Sequence, residues 1–168
     1  MPKEIERKFL VTGDAWRAQA TASGRLRQAY LAATGAAAIR IRIIDSDSAL
    51  LTIKSANAGM SRDEFEYPVP VADAEAMLEM RTGEVIEKIR HHLPCADGDL
   101  TVDEFLGSNA GLLIAEIELP HEDAAPDLPD WFGAEVTDDR RFYNAALSTR
   151  PFGAWPEEER RRALPAAA

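Results

Sequence analysis

Glu4-Ile5-Glu6-Arg7-Lys8-Phe9-Leu10-Val11 and Ile39-Arg40-Ile41-Arg42-Ile43 are the stretches on which the fold turns. In the first, Glu4, Glu6 and Lys8 alternate with Ile5, Arg7 and Phe9; in the second, two arginines interleave with three isoleucines. A period of two is the spacing at which a strand sends successive side chains to opposite faces. The same period recurs along the chain. Thr52 and Lys54 interleave with Leu51 and Ile53, and Arg62, Glu64 and Glu66 with Asp63, Phe65 and Tyr67. Ile86, Lys88 and Arg90 interleave with Val85, Glu87 and Ile89, and Glu116 and Glu118 with Ala115, Ile117 and Leu119. Thr101 and Asp103 alternate more weakly with Val102 and Glu104. Together with residues 25–33, these segments predict about eight strands.

The connections agree. Gly35, Asp45-Ser46-Asp47, Ala56-Asn57-Ala58-Gly59 and Asp97-Gly98-Asp99 are turn sequences between successive strands. Strands joined by such short turns pair antiparallel. Three segments read as helices. Residues 14–21 begin at an acidic cap, residues 71–80 stop before Gly83, and a third helix starts at Thr137 with Phe142, Ala145, Ala146 and Leu147 inside it. Residues 120–129, rich in Asp and Pro, form a surface loop, and residues 151–168 a charged short helix or tail. The fold class expected is therefore α+β, with one domain over residues 1–150 and the tail after it.

Composition bounds the function. The chain has 168 residues, enough for one domain that buries its own core without a metal or disulfide. Its net charge of −10 argues against a nucleic-acid coat. A single cysteine, Cys95, rules out an intrachain disulfide and a Cys-based zinc site. No apolar run approaches the roughly 20 residues of a spanning helix. The expectation is a reduced, cytoplasmic protein with neither membrane nor nucleic acid as partner; the oligomeric state is left open.

What sets the pattern apart is the ionic face. A solvated face mixes Thr, Ser, Lys, Glu and Gln, whereas here Arg and Lys recur at the centres of several strands and paired carboxylates on the first and last long ones. Two architectures fit. One is an open sheet with a wet face and scattered ion pairs worth about 0–1 kcal/mol each. The other is a barrel with the ionic face inward, its apolar exterior covered by helices. In the second, Lys and Arg would bind phosphate oxygens, Arg bidentately. Glu4, Glu6, Glu116 and Glu118, repelling one another by about 4 kcal/mol per close pair at an effective dielectric near 20, would call for a cation. Oxygen-only ligands suit Mg²⁺ or Mn²⁺. Metal and phosphate binders on facing walls describe a phosphoryl-transfer site.

At these residues the sequence resembles the CYTH superfamily, the triphosphate tunnel metalloenzymes, whose signature Glu-x-Glu-x-Lys stands here as Glu4, Glu6 and Lys8. Gln28-Ala29-Tyr30-Leu31, Ile39-Arg40-Ile41-Arg42, Leu51-Thr52-Ile53-Lys54, Val102-Asp103-Glu104-Phe105, Ala115-Glu116-Ile117-Glu118-Leu119 and the run from Glu135 to Leu147 follow in the family's order, so that the resemblance covers residues 2–149. It implies an eight-stranded antiparallel barrel forming a tunnel, with helices packed outside. It also implies metal-dependent hydrolysis of a triphosphate, most like the small bacterial inorganic tripolyphosphatases. Glu4, Glu6, Glu116 and Glu118 would hold one or two Mg²⁺ or Mn²⁺ ions. Asp103 would be a further ligand or the orienting partner of a basic side chain. Lys8, Arg40, Arg42, Lys54, Lys88 and Arg90, with Arg62 added, would neutralise the phosphate chain. Glu64 and Glu66 would hold basic side chains or touch metal. A class IV adenylate cyclase, a thiamine or nucleoside triphosphatase and a non-catalytic polyphosphate-binding module are the rivals. His91, His92, Cys95, Trp16, Phe65, Tyr67 and Phe142 read as structural, and Arg141 as a surface residue.

Overall fold

A computed structural model gives the architecture, and it describes residues 3–55, 61–96, 98–121 and 123–164. Among the described residues nine strands form one antiparallel sheet: β1 (Lys3–Val11), β2 (Ala22–Ala33), β3 (Ala37–Ile44), β4 (Ser48–Ser55), β5 (Ser61–Pro68), β6 (Thr82–Leu93), β7 (Asp99–Phe105), β8 (Leu113–Glu118) and β9 (Phe132–Glu135). Their order is β5-β4-β3-β2-β6-β7-β8-β1-β9. Helices α1 (Val71–Leu78), α2 (Asn144–Thr149) and α3 (Glu157–Ala163) are short, and four single 3₁₀ turns join them among the described residues.

The antiparallel α+β expectation holds, but the count and the closure differ from an eight-stranded barrel. One edge of β1 pairs with β8. Its other edge is divided. Lys3–Ile5 meet Ser61–Asp63 of β5 through three residue pairs, while Phe9 and Val11 meet β9. The ninth strand, Phe132-Gly133-Ala134-Glu135, has no period-two ionic pattern to announce it. It docks because Val136 N donates to Lys8 O and Thr12 N to Trp131 O, which supply the edge of β1 with partners.

Turn chemistry sets the register. Asp45 and Ser46 both take positive φ between β3 and β4, and the Asp45 carboxylate accepts from Arg25 N at 2.7 Å. At Gly98 a Cβ would lie 2.0 Å from Glu118 O, so only glycine lets the start of β7 pass the end of β8.

Three apolar clusters hold the sheet. Ala29, Ile41 and Ile43, on the face opposite Gln28, Arg40 and Arg42, pack under Ala74 and Leu78 of α1. Phe9, Val102, Ala115 and Ile117, likewise opposite the ionic residues, pack under Trp16 and Trp131. These two clusters match the expected cover on the far side, except that Phe65 and Tyr67, expected as core contacts, are exposed on β5. The third corrects it. Ile86, Phe105, Ile114 and Leu10 share the strand face of Lys88, Asp103, Glu116 and Lys8, and they pack with Leu147 of α2 and with Phe142, Phe152, Trp155 and Ala163. The third helix and the C-terminal segment therefore cover one end of the ionic face itself. Its helix starts at Asn144, beyond a 3₁₀ turn capped by Asp139; Thr137 caps no helix, its hydroxyl accepting from Lys8 N and donating to Glu135.

Candidate active site

Parity does the first part of the assembly. Because paired residues of neighbouring strands point to the same side, the register stacks ionic side chains into rows. Tyr30, Arg40, Thr52 and Glu66 form one row across β2, β3, β4 and β5; Ala38, Lys54 and Glu64 form the next. On the other wall Thr101, Glu116 and Lys8 form a row across β7, β8 and β1, beside the pair Glu118–Glu6. The sheet curls so that side chains from β1, β2, β3, β4, β5, β6 and β8 line one cavity of about 530 Å³. Six cationic and five anionic side chains among the described residues line it.

Most of these charges hold one another. Lys8 Nζ lies 2.6 Å from Glu116 Oε1 and 3.0 Å from Glu6 Oε1. Burial would strip Lys8 of its proton, but Glu116 and Glu6 outweigh it and raise the ammonium above its ordinary range. Glu116 is the mirror case. Burial works against its charge, yet Lys8 and Arg90, whose Nη2 lies 2.6 Å from Glu116 Oε2, hold the carboxyl well below the usual range. Arg40 reaches Thr52 at 3.0 Å and Glu64 and Glu66 at 3.4 Å, and Lys54 lies 3.0 Å from Glu64.

Asp103 has no exposed surface, and Arg90 grips both its oxygens at 2.7 Å while Lys88 Nζ closes on Oδ2. Lys88 is equally buried, does not line the cavity, and sits over the Phe105 ring at 5.3 Å, with Asn144 Oδ1 accepting from it at 3.3 Å. Burial pushes the Lys88 ammonium down to about 8, Asp103 opposing that shift and Arg90 adding to it. In this geometry Asp103 orients two cations, the second of the two roles its sequence position allowed. Arg42 differs from the other strand cations. Its Nε donates to Gln28 Oε1 at 3.0 Å and no carboxylate among the described residues pairs with it; burial, Arg40 and Arg90 all lower its proton affinity.

Of the expected residues, Glu6, Lys8, Arg40, Arg42, Lys54, Arg90 and Glu116 converge on the cavity, as do Glu64 and Glu66. Glu118 faces Glu6 directly across β8 and β1 but is exposed and outside the lining. The backbones of Glu4 and Arg62 pair across β1 and β5, and their side chains lie outside the described ones. Among the described residues no three Asp, Glu, His or Cys side chains gather into a metal-binding group. Glu6 and Glu118, directly opposite across β1 and β8, offer the carboxylate oxygens that a hard divalent ion takes, and Lys8 Nζ at 3.0 Å from Glu6 balances only part of their charge. Sequence reasoning missed Gln28, Tyr30, Asp138, Arg140, Tyr143 and Asn144 as parts of the site. The first two were legible by parity, because they alternate with Ala29 and Leu31. The others stand on the 3₁₀ turn and α2, where strand parity says nothing. Arg141, one position further, turns away to Asp139 and Glu159.

The chain is similar to known proteins in sequence and in fold. The CYTH domain family matches residues 2–144. An inorganic triphosphatase of Acetivibrio thermocellus is 44% identical over 159 residues, covering 94% of this chain and the whole of that protein. An inorganic triphosphatase of Nitrosomonas europaea is 35% identical over 148 residues, 86% of this chain and 96% of that one. The crystal structure of the inorganic triphosphatase NE1496 superposes with a TM-score of 0.64 at 33% identity, covering 88% of this chain and 95% of its own. Among the described residues no helix is long and apolar enough to cross a membrane.

Proposed function

The chain belongs to the CYTH domain family, and from that premise we propose that it hydrolyses the terminal phosphoryl group of inorganic triphosphate, held in the charged cavity with Mg²⁺ or Mn²⁺. The observation that carries the reading is the composition of the lining. Lys8, Arg40, Arg42, Lys54 and Arg90 converge with Glu6 and Glu116 on one cavity of about 530 Å³, which suits a polyanion bound together with cations.

Arg40, Lys54 and Arg90 each sit on a carboxylate that fixes the side chain before substrate arrives, so little rotamer entropy remains to be lost on binding. Arg42 offers phosphate oxygens a charge that no carboxylate among the described residues pairs with. Glu6 and Glu118 would hold the divalent ion, with Glu4 as the further ligand expected from the sequence. When bound, that ion supplies charge neutralisation on the phosphate oxygens and a more acidic water. Lys8, fixed protonated between Glu6 and Glu116, keeps these two carboxylates apart and stabilises negative charge developing beside them. No serine or histidine nucleophile is needed, because phosphoryl transfer is mainly positioning and charge stabilisation.

The test is phosphate release from tripolyphosphate, ATP, thiamine triphosphate and pyrophosphate with each metal. Tripolyphosphate is expected to be turned over best. Conversion of ATP to cyclic AMP would place the protein with the cyclases instead, and tight triphosphate binding without turnover would make it a binding module. Glu118→Gln is expected to abolish turnover with the fold intact by circular dichroism; a near-wild-type rate would remove this carboxylate from metal binding.

A further inference from the structure

The cavity's rim carries a second cation without a carboxylate partner, and the chain around it is held in place. Arg140 and Asp138 both line the cavity and are both exposed, so they stand at its mouth. Arg140 makes no ion pair among the described residues. Its neighbours are pinned on every side. Asp139 Oδ1 accepts from Arg141 N at 3.1 Å, and Tyr143 N donates to Arg140 O at 3.1 Å. Tyr143 Oη donates to Thr137 O at 2.8 Å. Phe142 is buried against Trp155 with ring centroids 5.2 Å apart, and Asn144, which opens α2 after the extended Tyr143, accepts from Lys88. The backbone is therefore preorganised while the Arg140 guanidinium remains free. Arg141 shows what pairing looks like in the same turn: its guanidinium is bound by both Asp139 and Glu159.

We infer that Arg140 is a specificity-determining residue, which binds the phosphate trailing at the mouth and selects inorganic triphosphate over its organic esters. The inference rests on the hydrolytic reading above and deepens it. An unesterified end phosphate presents three terminal oxygens and up to two charges, a match for the planar fork of an arginine. Esterification removes one oxygen and one charge at that end, and places an organic group where the guanidinium would close. Because Arg140 has no carboxylate to leave, the contact requires no ion pair to break first. Asp138 beside it would otherwise leave the mouth negative toward an incoming polyanion.

The experiment compares wild type with Arg140→Ala, Arg140→Lys and Arg141→Ala on tripolyphosphate and ATP under saturating metal. Arg140→Ala is expected to raise KM for tripolyphosphate about tenfold with kcat within about twofold, and to change KM for ATP less than about threefold. The lysine variant should recover part of the loss, since it restores charge without the fork, and Arg141→Ala should leave the substrate ratio unchanged. An equal loss on both substrates, or no loss on either, overturns the inference. If wild type turns over neither compound, it is the hydrolytic reading that fails. Calorimetric binding of tripolyphosphate and ATP to the same variants then decides the Arg140 contact by the same ratio.

Discussion

At the scale of single residues, the cavity separates cations held by carboxylates from Arg42 and Arg140, which pair with none among the described residues. Gln28 is fully buried; its Oε1 takes the Arg42 Nε proton, and its own Nε2 has no hydrogen-bond partner. An orphaned buried amide costs roughly 1–3 kcal/mol, so the glutamine is poor material for stability alone. Its value lies in aiming a guanidinium without neutralising it, as a carboxylate at this position would. Gln28→Met is therefore expected to leave thermal stability unchanged or slightly raised, while KM for tripolyphosphate rises several-fold and kcat changes little. Gln28→Glu should also raise KM, because Arg42 would then be paired like Arg40 and Arg90. Steady-state kinetics beside a melting curve separates the outcomes: a fall in kcat with KM unchanged would remove Gln28 from the role of positioning residue.

At the scale of elements, the strands were legible because ionic and apolar residues alternate along most of them, and that parity brings seven of the expected lining residues together. What was not legible lies where no period operates. β9 is four residues long and is defined by hydrogen bonds from β1 rather than by its own pattern. The cover over one end of the ionic face comes from Phe142, Leu147, Phe152 and Trp155, apolar residues whose sequence says that they are buried but not on which side of the sheet. Asp103 was ambiguous for a related reason: a carboxylate on the inner face can serve a metal or a cation, and only the β6–β7 register puts it opposite Arg90. That register carries its own prediction. Asp103 and Glu116 are both held below their ordinary range, by Arg90 with Lys88 and by Lys8 with Arg90, against the opposing effect of burial. A depressed carboxylate contributes stability that is complete above its unfolded value and is lost as pH falls through its folded one. Urea unfolding should therefore show stability constant near neutrality, falling below about pH 4.5. Asp103→Asn leaves the buried Lys88 without its carboxylate and the partly buried Arg90 with Glu116 alone, and should cost about 3–5 kcal/mol at pH 7. The variant should also lose less than wild type on acidification. An acid limb as steep as that of wild type would mean that Asp103 titrates normally.

At the scale of the whole molecule, the charge balance links the cavity to its ligand. The chain carries −10 overall, so a polyanion approaches against the general field, and local charge has to recruit it. The lining offers six cations and five carboxylates, a net of one positive charge against the about four to five negative charges of a triphosphate near neutral pH. Arg40, Arg90, Lys8 and Lys54 cannot make up the difference, because each shares its charge with a carboxylate. Divalent cations beside Glu6 and Glu118 would close the gap, and binding of metal and triphosphate should then be mutually dependent. A triphosphate with imido bridges in place of the bridging oxygens allows this to be measured without turnover. With Mg²⁺ at millimolar concentration and the imido analogue at about 100 times its Kd, linkage predicts stabilisation of about 2.7 kcal/mol, a rise in Tm of roughly 5–10 °C for a chain of this length. Either component alone, with chelator present in the metal-free sample, should give less than half of that. An equal shift from the analogue without metal would mean that Arg42, Arg140 and the paired cations neutralise the phosphate chain unaided, and the cation would then have no part in holding substrate.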